Sequence, residues 1–360
     1  MPKQEIKNIL IIKLCCLGDV VFFTPVIENL RTNYPGAKIT LLAANWLKPL
    51  IPYLKFIDEV IYYEGPYESS GLKKVFNTIK TIFALRNNKY DLAVLGHRNN
   101  FYGLFAKLSG IKIRLGFNGT KHLTHSVDFD KYTHTTDKNI SMLEPLGLPM
   151  KNNGTSLKRV KTKEEIKKEQ GIPSDKKIIG IFPFGGINPG TDMDIKRLDF
   201  NNFVTVINNS ANESSDNLVI VFEGRDSAEK INPDIKFTSN VIKKTIDIDL
   251  ISICNVFVCG DTGPLHIAAA FGISTVAIFG PSDADFVKPL TSVNSSAEHI
   301  LIWKKPYCSP CYNPVTAAQR DNPKYWQNGV FRCHTGTLEC MKTITIEEVT
   351  ASISKLNLNK

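Results

Sequence analysis

The chain has 360 residues, 42% of them hydrophobic and 22% charged, a composition of the soluble globular class. Its length exceeds what one hydrophobic core usually organises, so two domains are expected. The formal charge of +9 favours anionic partners such as nucleotides, phosphorylated lipids or an acidic membrane surface, although a solvated basic face would produce the same balance. The lysines are scattered, and no DNA or RNA motif accompanies them, so nucleic acid is not an expected partner.

Near the N-terminus, Asn8 to Phe23 is rich in apolar residues, but Lys13 and Asp19 interrupt it and no small-residue cleavage site follows. It reads as a strand, a loop and a helix rather than a signal peptide. No run approaches the roughly 20 apolar residues of a membrane span. A cytoplasmic location is therefore expected, with peripheral contact at the inner membrane left open.

In chain order, strands are predicted at Ile9–Leu14, Lys38–Ala43, Glu59–Tyr63, Leu92–Gly96 and Lys112–Gly116, with helices between them. Helical spacing is clearest over Leu72, Val75, Phe76, Ile79, Ile82, Phe83 and Leu85. Loop formers Asn152, Asn153 and Gly154 open a break, and a lysine-rich stretch with a short helix follows. A second series then alternates: strand Ile178–Phe182, a helix near Phe200–Ile207, strand Leu218–Phe222, a helix near Leu250–Cys254, and strands Val256–Cys259 and Ser274–Phe279. Such alternation predicts an α/β protein of two Rossmann-like, doubly wound parallel-sheet domains facing each other across a cleft. We place the boundary at 165/166: residues 1–165 form the first domain, and residues 166–360 form the second, with a cysteine-containing region at 303–342 and a C-terminal helix.

Ligands of doubly wound sheets bind at the carboxyl ends of strands, which directs attention to the loops there. After the first strand, KLCCLGDVVFFTP places Gly18 and Asp19 at the head of a helix. Asp19 suits either a helix cap or a general base facing a cleft. His97 and Arg98 end the fourth strand and are candidates for acceptor binding or an ordinary surface pair. In the second domain FPFGGINPGTDMDIKRL joins Gly185 and Gly186 to Lys196 and Arg197, and glycines with a cation suit phosphate oxygens. Asp226, past the next strand, is a candidate ribose partner or a solvated loop carboxylate. The stretch GDTGPLHIAAAFG, residues 260 to 272, follows a buried strand and starts a helix near Pro264. The amides of Leu265 and His266 are expected to point forward unpaired, as a site for a diphosphate. Gly260 and Gly263 would permit close approach, and Asp261 and Thr262 supply an acceptor and a hydroxyl. A tight turn without a ligand is the plainer alternative.

Of the eight cysteines, Cys15, Cys16, Cys254 and Cys259 read as packing residues at strands or their edges. Cys308, Cys311, Cys333 and Cys340 form C-x2-C, a long gap, then C-x6-C. Four thiolates there suit a structural zinc or iron, with reduced thiols the rival reading; a cytoplasmic setting argues against disulfides.

Together, NILIIKLCCLGDVVFFTPVIENLRTNYPGAKITLLA, the loop with Lys196 and Arg197, and VCGDTGPLHIAAAFGISTVAIFGPSD resemble the family 9 glycosyltransferases, the ADP-heptose:lipopolysaccharide heptosyltransferases of bacteria. The resemblance covers most of the chain. It implies the GT-B fold, inversion at the anomeric carbon, a donor held mainly by the second domain, and no metal or other cofactor for the transfer itself. It further implies that Asp19 is the catalytic base, Lys196 the cation on the donor phosphates, and Asp261, Thr262 and Gly263 the diphosphate loop, with Pro264, Leu265 and His266 following. The expected partners are ADP-heptose or a related nucleotide sugar and the inner core of lipopolysaccharide, or a protein acceptor. This chain departs from the family pattern at Cys15 and Cys16, where serines are frequent, and in the extended loop from Ile187 to Ile195. Two other functions share the architecture: a sugar-nucleotide epimerase, and a non-catalytic sugar-nucleotide binder that would not need Asp19.

Overall fold

Strands that are apolar without alternation must be covered on both faces, and that requirement organises each half of this chain. The computed structural model describes residues 5–64, 70–185, 193–197, 199–224, 230–312, 325–327 and 330–358. It divides into two units, Met1–Lys158 and Arg159–Lys360.

In the first unit, Asn8–Ile12 (β1), Lys38–Ala43 (β2), Glu59–Tyr62 (β3), Leu92–Leu95 (β4), Ile113–Phe117 (β5) and His125–Val127 (β6) form a six-stranded sheet in the order β3-β2-β1-β4-β5-β6. Each pairing is parallel. Helices Leu17–Val21 (α1), Thr24–Asn33 (α2), Gly71–Asn87 (α3), Asn100–Leu108 (α4) and Thr135–Ser141 (α5) belong to the same unit. Ile9 to Ile12 of β1 and all of β4 are fully buried, as expected for central strands of a covered sheet.

The second unit repeats the plan. Lys177–Phe182 (β7), Asn217–Glu223 (β8), Val241–Thr245 (β9), Val256–Gly260 (β10), Ser274–Phe279 (β11) and His299–Trp303 (β12) pair in parallel in the order β12-β11-β10-β7-β8-β9. Its helices are Lys163–Gln170 (α6), Phe200–Asn212 (α7), Ile248–Ser252 (α8), Gly263–Ala270 (α9), Ala284–Val287 (α10), Glu339–Lys342 (α11) and Ile346–Leu358 (α12). A short antiparallel pair joins Trp326–Gln327 (β13) to Val330–Phe331 (β14). The C-terminal α12 buries Val349, Ile353 and Leu356, and its Asn357 amide donates to Asn217 Oδ1 at 2.9 Å. Counted from the first strand of each sheet, both orders are 3-2-1-4-5-6, the doubly wound pattern.

Two expectations need correction. The boundary falls between Lys158 and Arg159, not at 165/166, which would cut α6. That helix is closed at its start by a Thr162–Glu165 capping box and at its end by Gly171 in the left-handed region (φ 67°). It is tied to the second unit: Lys244 Nζ donates to the Gln170 carbonyl at 3.4 Å, and Arg159 donates to the Ser252 carbonyl at 3.0 Å. The second correction concerns β6, β9 and β12, none of which was expected. All three are sheet edges; β6 reads His-Ser-Val and β9 Val-Ile-Lys-Lys-Thr, whereas β12, His-Ile-Leu-Ile-Trp, carries a short apolar run that the sequence reading passed over. For β6 and β9, polar residues at the partly exposed sheet edge remove the continuous apolar signal that central strands carry.

Candidate active site

In a 3-2-1-4-5-6 sheet the chain leaves strands 1 and 4 in opposite directions, and a crevice opens beyond their carboxyl ends. The sequence places polar side chains at that point in both units.

In the first unit the strands concerned are β1 and β4. Lys13 follows β1 and is buried, although lysine is seldom tolerated inside. Its stem crosses Gly96, where any Cβ would stand 2.7 Å from Lys13 Cδ, so only glycine fits there. The ammonium donates to the Gly96 carbonyl at 3.0 Å and lies 3.9 Å from Asp19 Oδ1. Burial disfavours its charge, but nearby Cys15 and Asp19 outweigh that cost and raise its pKa. Burial and the Asp19 carboxylate push the Cys15 thiol up. Asp19 is not the helix cap: the N-cap of α1 is Cys16, no side chain caps this helix, and Asp19 lies inside the first turn. Its side chain keeps 41% of its accessible surface. Gly18 beside it is buried.

His97 and Arg98 turn to other work. His97 Nε2 accepts the Leu14 amide at 2.8 Å, joining the ends of β1 and β4. That bond requires the proton on Nδ1. Burial, with Lys13 nearby, holds the imidazole pKa well below its usual value, and the ring packs 4.9 Å from Tyr102. The Arg98 guanidinium lies 4.2 Å from the centre of the Phe129 ring.

In the second unit β7 and β10 flank the crevice. Asp261 is 9% exposed, and Lys196 Nζ donates to its Oδ2 at 2.6 Å. His266 Nε2, from the first turn of α9, is 3.6 Å from Oδ1. Burial alone would raise the Asp261 pKa; Lys196 and His266 reverse this and hold the carboxyl well below the ordinary range. Gly185 and Gly260 serve the turn Asp194–Lys196 rather than an open ligand space. A Cβ on Gly260 would stand 3.2 Å from the Lys196 carbonyl oxygen, and one on Gly185 would stand 3.2 Å from that of Met193. The Leu265 amide, expected to be open, donates to the Thr262 carbonyl at 3.1 Å. The Thr262 hydroxyl sits 3.4 Å from Cys259 Sγ and from the Gly260 carbonyl, turned back toward β10. Gly263 and Pro264 are the partly exposed residues that start α9. Gly186 and Asp226 lie outside the described residues.

Two contributors escaped the sequence reading. Lys13 was noted only as a break in an apolar run, yet a lysine directly after a fully buried strand already marks a paired buried charge. Tyr312 places its ring 4.9 Å from Lys196 Nζ. It belongs to a cluster in which Met193, Ile195 and Phe331 pack with Cys311, Tyr325 and Trp326. The cysteine-containing region thus packs against the turn that carries Lys196.

That region is anchored to the loop after β11 by Cys311 N donating to the Pro281 carbonyl at 3.1 Å and Ser309 Oγ to that of Gly280 at 2.7 Å. Burial and the neighbouring Cys340, Cys333 and Cys308 push the Cys311 thiol up to about 12. Burial, with Cys308 and Cys333, pushes Cys340 up to about 11. Among the described residues no three side chains stand in a ready metal-ligand arrangement. Cys254 and Cys259 are fully buried, in keeping with packing roles.

Two doubly wound parallel-sheet units, each with charged groups after its central strands, make up an α/β architecture of the Rossmann-like class. The profile described as glycosyltransferase family 9 (heptosyltransferase) matches residues 79–319, and the chain belongs to that family. It is a glycosyltransferase. Lipooligosaccharide heptosyltransferase 2 of Campylobacter jejuni is 25% identical over 310 residues, covering 82% of this chain and 86% of its own. The fold matches the solved structure of the Escherichia coli ADP-heptose lipopolysaccharide heptosyltransferase II with a TM-score of 0.70 and 19% identity, over 98% of this chain and 99% of that one. It also matches the iron-containing dodecameric glycosyltransferase TibC of enterotoxigenic E. coli, with a TM-score of 0.55 and 13% identity, over 99% of this chain and 77% of that one. No described helix is long and apolar enough to cross a membrane.

Proposed function

We propose that the chain transfers heptose from ADP-heptose to a hydroxyl of the inner core of lipopolysaccharide, with inversion at the anomeric carbon. The observation that carries this reading is the contrast between a partly exposed Asp19 with no capping duty and a buried Lys196 held beside the start of α9. Asp19 takes the proton of the acceptor hydroxyl as its oxygen bonds to the anomeric carbon. The bond from that carbon to the phosphate oxygen breaks at the same time, and ADP leaves with the electron pair. Lys196 stabilises the charge growing on the leaving diphosphate, in an environment where burial strengthens its field. Asp261 and His266 hold Lys196 in place, and the exposed edge of the loop at Gly263 and Pro264 receives the phosphates. The donor follows the name of the E. coli relative, and the acceptor follows the names of the lipooligosaccharide and lipopolysaccharide enzymes.

The four cysteines are the proposed holders of a structural zinc or iron by residue type and spacing in the sequence, although their described arrangement is not that of a ready metal site. Soft thiolates are preferred ligands of both ions, which is the chemical ground for the proposal. TibC, described as iron-containing, shares the fold. Such an ion would brace the segment bearing Tyr312 without taking part in transfer. About one zinc or iron per chain by elemental analysis, lost with Cys308→Ser and Cys311→Ser, is the expected result; metal-free protein of unchanged melting temperature would favour reduced thiols.

The transfer itself is tested by incubating the protein with ADP-heptose and either a heptose-accepting inner-core lipid or a protein acceptor. ADP release with a matching mass gain on the lipid is expected. Gain on the protein alone would change the acceptor. An epimerised donor, or binding without turnover, would overturn the reading in favour of an epimerase or a binder.

A further inference from the structure

A surface helix normally turns its apolar stripe to the core. Helix α3 does the reverse. Its inward side is built from Lys74, Asn77, Thr78 and Thr81 with Ile82 and Leu85: Thr78 Oγ1 is 2.7 Å from the hydroxyl of buried Tyr63, and Asn77 donates to Glu64 at 3.0 Å. Leu72, Val75, Phe76, Ile79 and Phe83 recur at the spacing of one helical stripe and stand in solvent, Leu72 at 89% and Phe76 at 67% exposure. On α4, packed beside α3, Leu104 and Leu108 are exposed as well. So large an apolar surface marks a binding face.

Charge decides what it binds. α3 carries Lys73, Lys74, Lys80 and Arg86 and no acidic residue, and Lys107 lies on the last turn of α4. Lys73 is paired with Glu64 at 3.0 Å, which leaves the helix strongly basic. A second copy of the same face would bring cations against cations. A basic helix with an exposed stripe of leucine, isoleucine and phenylalanine matches instead the boundary between headgroups and acyl chains of an anionic bilayer.

We propose that α3 is a membrane-docking helix that seats Leu72, Phe76, Ile79 and Phe83 in the interface of an anionic lipid bilayer, its lysines meeting the headgroup phosphates. This surface stands independently of the sugar or acceptor used, so its test needs neither.

The full chain is mixed with vesicles of phosphatidylethanolamine and phosphatidylglycerol, or of neutral phosphatidylcholine, and bound protein is measured by sedimentation. Binding to the anionic vesicles should exceed that to the neutral ones by at least about tenfold and weaken with salt. Leu72→Ser with Phe76→Ser and Phe83→Ser should reduce it by at least about tenfold, and Lys80→Gln with Lys107→Gln, both exposed, should lower it while flattening the salt dependence. Circular dichroism and melting should match the parent, because the replaced side chains face solvent or its edge. Parent protein that stays in the supernatant, or a serine variant that binds like the parent, would overturn the proposal. So would an oligomer in sedimentation velocity that the serine variant dissociates, because the stripe would then be covered by another copy.

Discussion

Each unit places a lysine, an aspartate and a histidine at its switch point, and the two sets are held in opposite ways. In the second unit Asp261 is 9% exposed, with Lys196 at 2.6 Å and His266 at 3.6 Å. In the first, Asp19 keeps 41% of its side-chain surface, Lys13 stands off at 3.9 Å, and His97 is bonded elsewhere. A carboxylate clamped by two partners is committed to holding them. One touched loosely by a cation and reached by solvent remains open to a proton. The same residue types therefore suggest a positioning role in one unit and a general base in the other.

The largest expected effect tests the open aspartate. Asp19→Asn keeps the size of the side chain and removes its basicity, and loss of a general base costs about 10² to 10⁴ in rate. No capping bond is at stake. The variant should melt near the parent and bind ADP as the parent does, yet transfer sugar at least about a hundredfold more slowly. Near-parental turnover would end the assignment of Asp19 as base.

Next is the clamped aspartate. Asp261→Asn leaves Lys196 buried without a counter-charge, and breaking a buried pair by removing one partner costs about 3 kcal/mol or more. The sign with pH follows from the depressed pKa of Asp261. Its contribution is complete above the ordinary carboxylate value and is lost as pH falls below it toward the folded-state value. Urea unfolding should find the variant markedly less stable near neutral pH, with the gap narrowing below about pH 4. Equal stabilities at neutral pH would mean that the two aspartates do not differ as argued.

How much of this was legible depended on burial. Central strands such as β1, β7 and β10 read from continuous apolar runs, and the loops after them followed from the rule that ligands gather at carboxyl ends. The edges β6 and β9 did not read, because their sequences carry polar residues for water, and β12 was missed although its Ile300 to Trp303 run is apolar. Spacing predicted α3 as a helix but not which side faces out, since periodicity is the same whether a stripe meets a core or a partner. Around Asp261 the residues were legible and their mutual pairing was not. The motif marks a turn at a helix start, and only the fold brings Lys196 to the carboxylate from a different loop. The expected open amide at Leu265 failed for a local reason, a bond back to Thr262 within the same turn.

The smallest expected effect concerns His97, and it separates a positioning role from acceptor binding. Its Nε2 accepts the Leu14 amide, so the folded protein holds the imidazole neutral with its proton on Nδ1. Protonating Nε2 would set two N–H groups against each other and add a charge near Lys13 in a buried place. The folded-state pKa therefore lies well below the usual 6.5. The unfolded chain then binds more protons than the folded one at pH values between the two. Stability from this group is complete above the unfolded value and falls as pH drops below it, with a limiting slope of about 1.4 kcal/mol per pH unit. Gln at this position offers a carbonyl to the Leu14 amide and does not titrate. His97→Gln should cost about 1 kcal/mol at most near pH 7.5, and its urea midpoint should fall less than the parent's between about pH 6.5 and 5. Parallel pH profiles would show that the Leu14 bond does not hold the imidazole neutral. An unaltered KM for the acceptor would show that acceptor recognition rests on other side chains, whereas a raised KM would return His97 to acceptor binding.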